Sequence, residues 1–477
     1  MKNNPRELRR RALLGAPGLV FAASATPAAE ERPPHDVTRT LARYVVNARW
    51  EDVPGPVRKE AARTFLNWVG CAVGGSHHET LDAAIGALAP FSGPAQASIL
   101  GRKERLDILH AALMNGISSH VFDFDDTHLR TIIHPAGPVA SAILALAEFR
   151  PATGAAFLHA LILGAEVECR IGNAVYPEHY DAGWHITGTV GPFGAAAAAG
   201  RLLGLNEQQM VWALGLAAVQ PVGLREMFGT MTKSFHPGRA AQNGLTAALL
   251  ASKNFTSSNQ GIEARRGWAN VLSSARRYSE ITANLGQSFE ISANTYKPFP
   301  CGIVIHPAID AALQLREQHH IAADQVERVE LDVHPLVLEL TGKKEPQAGL
   351  EGKFSVYHSV AAALARGAVR EGEFSDASVR DPGLVALRRR VFPRVDKAIA
   401  EDQVRLAVQL RDGRRLEMFI EHAVGSAKNP MSDAQLEAKF QGLVEGVLPA
   451  AGVRRLMELC WHIASLPNAA QVAQASY

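Results

Sequence analysis

Residues 404–420 read VRLAVQLRDGRRLEMFI. Two short runs rich in β-branched and large apolar residues, 404–410 and 416–420, flank Asp412-Gly413, a strong short-range hairpin signal. Upstream, residues 326–333 read VERVELDV, in which Val326, Val329, Leu331 and Val333 are interleaved with charged residues, the periodicity of a half-buried strand. Residues 359–365 read as a helix between these strands. The pattern predicts a small α+β domain over about residues 286–423, and it decides the fold because both flanks read as helix.

On the N-terminal side, apolar residues recur at helical spacing from about Asp36 to Asn254. Residues 57–73 form one such segment, opened by Pro54 and Pro56 and closed by Gly74-Gly75. Residues 108–121, 139–149 and 155–171 repeat it, some of them apolar almost all round, as buried helices must be. Gly188, Gly191, Gly194 and residues 195–199 put small side chains on one helical face, where another helix can approach. They do not form GxGxxG and give no dinucleotide fingerprint. On the C-terminal side, Ser432 and Gln435 form a capping box ahead of a helix over 436–447. The expected fold class is therefore mainly α: a large all-helical domain, discontinuous in sequence (35–285 and 424–470), carrying a smaller α+β lid domain at 286–423.

The chain has 477 residues, 47% of them hydrophobic, enough for two cores. A formal charge of +2 is too small for a nucleic-acid binder, which needs a basic face to displace counterions. The four cysteines, Cys71, Cys169, Cys301 and Cys460, show no metal-ligand spacing. Cys71 and Cys169 lie in apolar helical patterns that suit buried free thiols. Residues 1–30 read as a leader: Arg9-Arg10-Arg11 precede an apolar run, and Ala23-Ser24-Ala25 has the small-x-small form of a cleavage site. Arg10-Arg11-Ala12-Leu13-Leu14 resembles a twin-arginine signal, so the expectation is export to the periplasm, or a cytoplasmic protein if the segment is not a working signal. No later stretch reaches the ~20 apolar residues of a membrane span.

Polar residues concentrate in three places. Asp123-Phe124-Asp125-Asp126-Thr127-His128, with His134-Pro135 beyond, joins two apolar helices. Three carboxylates and two imidazoles there can bind a metal, move protons or cap the helices. Gly183-Trp184-His185-Ile186-Thr187-Gly188 opens a helix with a histidine, either a cap or a catalyst. Thr232-Lys233-Ser234-Phe235-His236-Pro237-Gly238 sets Lys233 and His236 just ahead of a helix expected to begin at Pro237, where unpaired N–H groups favour an anion such as a carboxylate. At the junction with the small domain, Tyr296-Lys297-Pro298-Phe299-Pro300-Cys301-Gly302 is either a hinge or a lysine held toward an interdomain cleft.

Taken in order, with Lys353-Phe354-Ser355-Val356 and Asn429-Pro430-Met431-Ser432 added, these motifs are similar to those of the MmgE/PrpD family over about residues 36–466. That family includes 2-methylcitrate dehydratase, cis-aconitate decarboxylase and an iminodisuccinate epimerase. The resemblance implies a homodimer, no metal and no organic cofactor. It implies active-site roles for Asp123, Thr127, His134, His185, Lys233 and Lys297. The two histidines would be the acid–base pair, Asp123 an orienting group or base, and Thr127 a hydrogen-bond donor. The lysines would grip carboxylates, one from each domain, with His236 beside them. Many members carry Pro-Tyr where this chain has Tyr357-His358, and either ring can take the tyrosine's place against the substrate. The cis-aconitate decarboxylases carry a histidine where this chain has Gly302, which turns the expectation away from decarboxylation. The expected activity is a cofactor-independent, dehydratase-type lyase acting on a small hydroxy-polycarboxylate. The rivals are an epimerase or isomerase working by α-proton abstraction, and a non-catalytic exported polycarboxylate-binding protein.

Overall fold

A computed structural model of the chain describes residues 36–477. The expected leader, residues 1–30, lies outside the described residues. Helices dominate and the sheets are small. Among the described residues no helix is long and apolar enough to cross a membrane.

The helical body is built from long apolar helices at Gly55–Gly74, Ile108–His120, Ala136–Phe149, Gly154–Val175, Ile186–Leu203 and Met231–Ser252. Close packing rests on small residues at the crossings. A Cβ on Gly116 would lie 2.4 Å from Gly238 Cα, and one on Gly238 would lie 2.4 Å from the Leu113 carbonyl, so the 108–120 and 231–252 helices touch through bare backbone. The Asp433–Val444 helix opens with the Ser432–Gln435 capping box and returns to the Gly55–Gly74 helix. Phe440 seats against Gly70 there, within a core that also holds Phe65, Trp68 and Phe157. The C-terminal segment thus shares a core with the Gly55–Gly74 helix.

The small domain is a four-stranded sheet in the order 391–395, 326–333, 404–410, 415–420. Val326–Val333 runs parallel to Val391–Val395 and antiparallel to Val404–Leu410, which turns through Asp412-Gly413 into Arg415–Ile420. Gly413 has φ +91°, the left-handed geometry the turn demands. The His306–His319 and Val356–Arg366 helices share a core with the inward-facing strand residues. The outer face carries Arg328, Arg394, Arg405 and Arg415, which pair with Glu330, Asp332 and Glu417 and leave a wide surface hollow whose charges satisfy one another.

Two expectations are corrected. The helix expected to start at Pro237 begins at Met231, and Pro237 lies inside it. A proline in the second turn forfeits a single backbone bond, which the tight seat of Gly238 on the neighbouring helix offsets. Lys233 and His236 therefore stand within the helix rather than ahead of it. Residues 286–296 also stay on the helical body. Ile291 and Tyr296 belong to its core, and Asn294–Tyr296 pairs antiparallel with Asp126–His128. A three-residue strand whose partner lies some 170 residues earlier leaves no periodicity to read. All four cysteines are buried free thiols.

Candidate active site

The site begins where the Ile108–His120 helix ends. Asp123 has φ +52°, a left-handed turn that swings its carboxylate back beneath the helix. Its Oδ1 accepts hydrogen bonds from Lys233 Nζ at 2.8 Å and Lys297 Nζ at 2.7 Å. Burial alone would raise the pKa of Asp123, but the two ammonium groups override it and hold the carboxyl well below its ordinary value. The lysines respond differently. Burial lowers Lys233, whereas for Lys297 the opposing pull of Asp123 and Asp125 wins and raises it.

The acidic run divides its work. Asp126 accepts the Ala136 N–H at the start of the next helix and the Asn294 amide, so it serves as the cap. Burial raises its pKa to about 7. Asp125 accepts from His120 Nδ1 at 2.6 Å. Burial would raise Asp125, yet the neighbouring His120 and His134 keep it below its usual range and ionised. His120 must then carry its proton on Nδ1, and its Nε2 accepts from Lys233 Nζ at 2.8 Å. An unbroken relay results: Asp125, His120, Lys233, Asp123, Lys297.

Three more imidazoles surround it. His134 Nδ1 lies 2.7 Å from the Asp126 carbonyl oxygen, which can only accept. The proton therefore sits on Nδ1 and leaves Nε2 with a free lone pair. Burial lowers His134 to about 3, so the ring is neutral and available as a base. Thr127 Oγ1 stands 3.3 Å from the same Nδ1, behind the ring, and Thr127 is fully buried. His185 Nδ1 meets His236 Nδ1 at 2.8 Å, so one donates and the other accepts. Burial pushes His185 well below its ordinary pKa and His236 to about 3. The rings of His120, His134 and His185 lie 4.9–6.3 Å apart, centre to centre.

These groups open on a cleft of about 400 Å³, counting its mouth. Asp123, His134, His185, Lys233 and Lys297 line it, together with Gly302, Ile303, Val304 and Phe354 among others. Five of the residues expected at the site thus share one cavity. Thr127 and His236 do not line it; they touch His134 and His185, which do. Tyr357 and His358 are placed differently. Tyr357 packs in the core of the small domain. His358 Nε2 meets the Glu373 carbonyl, and its ring edges against Phe374. Neither lines the cleft, because the helix they open turns that face into the domain. Lys297 also departs from expectation: it follows the strand paired to the helical body and meets Lys233 on one carboxylate, so the two ammoniums do not face each other across domains.

Two sets of donors lie close enough to share an ion: His120, His134 and His185, and Asp123, Asp125 and His134. Lys233 already occupies His120 Nε2 and Asp123 Oδ1, and a cation would have to displace it against two positive charges. The donor set suits an anion better. His120 was not singled out by sequence reasoning, and Asp125 only as one of the three carboxylates of the 123–128 run. A histidine at the end of an apolar helix looks like a core residue, and its only signal is its spacing of three from Asp123.

The cis-aconitate decarboxylase of Aspergillus terreus (strain NIH 2624 / FGSC A1156) is 25% identical over 455 residues, 89% of this chain and 92% of that protein. The human cis-aconitate decarboxylase is 26% identical over 460 residues, 91% of this chain and 92% of its own. The 2-methylcitrate dehydratase of Cupriavidus necator is 24% identical over 445 residues, 84% and 88% of the two chains. Residues 39–281 match the MmgE/PrpD N-terminal domain and residues 299–463 the MmgE/PrpD C-terminal domain. With both domain patterns spanning the helical body and the small domain in order, the chain belongs to the MmgE/PrpD family.

Proposed function

We propose that the protein is a lyase that dehydrates a small hydroxy-polycarboxylate, with no metal or organic cofactor taking part. The observation that carries the reading is the pair of buried ammonium groups beside an imidazole whose free Nε2 is fixed by a backbone carbonyl. Substrate carboxylates displace part of the Asp123 interaction and take the lysine charges. A carboxylate gripped this way stabilises the carbanion-like charge that builds on the adjacent carbon. His134 Nε2 takes the proton from that carbon. The electron pair forms the alkene as the β-hydroxyl leaves, and the hydroxyl takes a proton from His185 to depart as water. The bound carboxylates raise the basicity of His185, which loads it with that proton beforehand. The neutral ring of His134 ends as imidazolium and the imidazolium of His185 ends neutral, so protons balance.

Decarboxylation is the second reading, supported by the relatives named cis-aconitate decarboxylase. Gly302 weighs against it, since it lines the cleft where those enzymes carry a histidine. Export, supported by the twin-arginine-like stretch at residues 10–14, and assembly as a homodimer, supported by the family resemblance, belong to the same proposal.

The test is a panel of hydroxy-polycarboxylates and cis-aconitate, followed by absorbance of unsaturated product, by release of carbon dioxide and by exchange in heavy water. Alkene without carbon dioxide is expected. Deuterium wash-in without alkene would point to an epimerase instead, and tight binding with no product to a carrier. His134→Asn should lower kcat by about 10²- to 10⁴-fold while citrate still binds. Unchanged turnover in that variant removes His134 from the role of base.

A further inference from the structure

Three consecutive carbonyl groups on the turn that carries Asp123 each accept from a different lysine, Lys297 and Lys353 buried and Lys439 partly so. The Phe122 carbonyl accepts from Lys353 Nζ at 2.9 Å, the Asp123 carbonyl from Lys297 Nζ at 3.2 Å, and the Phe124 carbonyl from Lys439 Nζ at 2.5 Å. Lys353 and Lys439 each have a second carbonyl partner on the opposite segment. Lys353 takes the Pro300 carbonyl at 2.9 Å and Lys439 takes the Lys297 carbonyl at 2.9 Å. The two ammonium groups therefore staple residues 122–124 to residues 297–300, one on each side of the Asp123–Lys297 contact. They arrive from distant parts of the chain: Lys353 from the small domain, and Lys439 from the Asp433–Val444 helix that returns to the body. Lys353 keeps a counter-charge in Glu371 at 2.6 Å, and Lys439 lies 4.0 Å from the ring of Phe124.

We infer that Lys353 and Lys439 are positioning residues that lock Asp123 in its left-handed turn and so hold the Lys233–Asp123–Lys297 array in register. Left to itself, an aspartate leaves that backbone region readily, because L-residues with a Cβ disfavour positive φ. Carbonyls aimed at fixed cations remove the alternative, since a flipped peptide would turn each oxygen away from its ammonium. Two lysines are needed because the turn has two flanks. Neither touches the cleft's acid–base groups, so their effect passes through the alignment of Asp123 and Lys297. The small domain contributes one of the two staples, so its seating on the body and the geometry of Asp123 are coupled.

The inference rests on the lyase reading for its kinetic arm only. Lys439→Met and Lys353→Met are made in the full chain, with Lys353→Arg as the conservative partner. Cooperative unfolding is checked first; turnover on the acid panel, citrate binding and crystal structures follow. Both methionine variants should fold, with kcat down by about 10- to 100-fold from misalignment, while KM rises by no more than about threefold, since Lys233 keeps its grip through His120. Lys353→Arg should recover part of kcat. In the crystals, Asp123 should leave positive φ and Lys297 should lose its contact with the carboxylate. Wild-type protein that turns over no acid sinks the lyase reading alone, and the structures then decide the clamp. Asp123 unmoved in both variants overturns it, as does failure of both to fold, which would assign the lysines to stability only.

Discussion

Asp123 is the residue on which the site's charges close. It is 3% exposed and faces two ammonium groups with one oxygen, while its other oxygen has no hydrogen-bond partner. Removing its charge should therefore have effects of opposite sign. Asp123→Asn strands two buried cations, and breaking a buried pair in this way costs about 3–5 kcal/mol of folding stability. The same change frees both ammoniums for an external carboxylate, so citrate should bind more tightly and restore much of the lost thermal stability. Thermal unfolding with and without citrate reads both effects. Affinity falling together with stability would mean that the lysines are not the carboxylate grip. Much of this site was legible in the sequence, because Asp123, His134, His185 and Lys233 each sit in a polar motif near a helix boundary and Lys297 in the motif at the junction with the small domain. What escaped were partners defined only by tertiary contact. His120 is embedded in apolar helix, and Lys439 looks like an ordinary exposed lysine on an amphipathic one. Their roles exist only once segments more than 100 residues apart meet.

At the scale of elements, the register of the site depends on how closely the 108–120 and 231–252 helices cross. The first ends in His120 and the second carries Lys233 and His236, so a small change in their separation opens the His120–Lys233 contact of 2.8 Å. Gly116 and Gly238 set that separation by bringing backbone against backbone. Gly238→Ala inserts a methyl group 2.4 Å from the Leu113 carbonyl, which cannot yield without moving the helix. The expected cost is about 1–3 kcal/mol in stability from overpacking, with a larger fractional loss in kcat than in stability-matched variants elsewhere. Urea unfolding alongside kinetics tests this, and a stable variant with unaltered kcat would separate the crossing from catalysis. The elements themselves read well from sequence wherever periodicity was long: the 326–333 strand, the hairpin at Asp412-Gly413 and the capping box at Ser432 all stand where expected. The start of the 231–252 helix was missed because proline usually marks a first turn, and here tertiary packing keeps it in the second.

Across the whole molecule, the buried histidines make stability depend on pH in a way whose sign can be worked out. Burial lowers His134, His236 and His306 to about 3 and His179 to about 4. In the unfolded chain each titrates near 6.5. Above that pH both states are neutral and the histidines add no pH dependence. Below it the unfolded chain gains protons that the folded chain refuses, so stability is lost as pH falls from about 6.5 toward 3, by roughly 1 kcal/mol per pH unit for each ring. Burial lowers His120, His185 and His358 as well, and these add to the trend. Carboxyls with raised pKa oppose it. Asp126 and Glu166 are pushed by burial to about 7, and Glu168 well above its usual value. Each keeps a proton that the unfolded chain releases near 4, and so weakens the fold as pH rises through that interval. The histidines outnumber them, so the urea midpoint should drop steadily from pH 6.5 to 4.5. A midpoint that holds or rises on acidification would mean that some of these rings are protonated in the native state, and a charged His134 could not serve as the base.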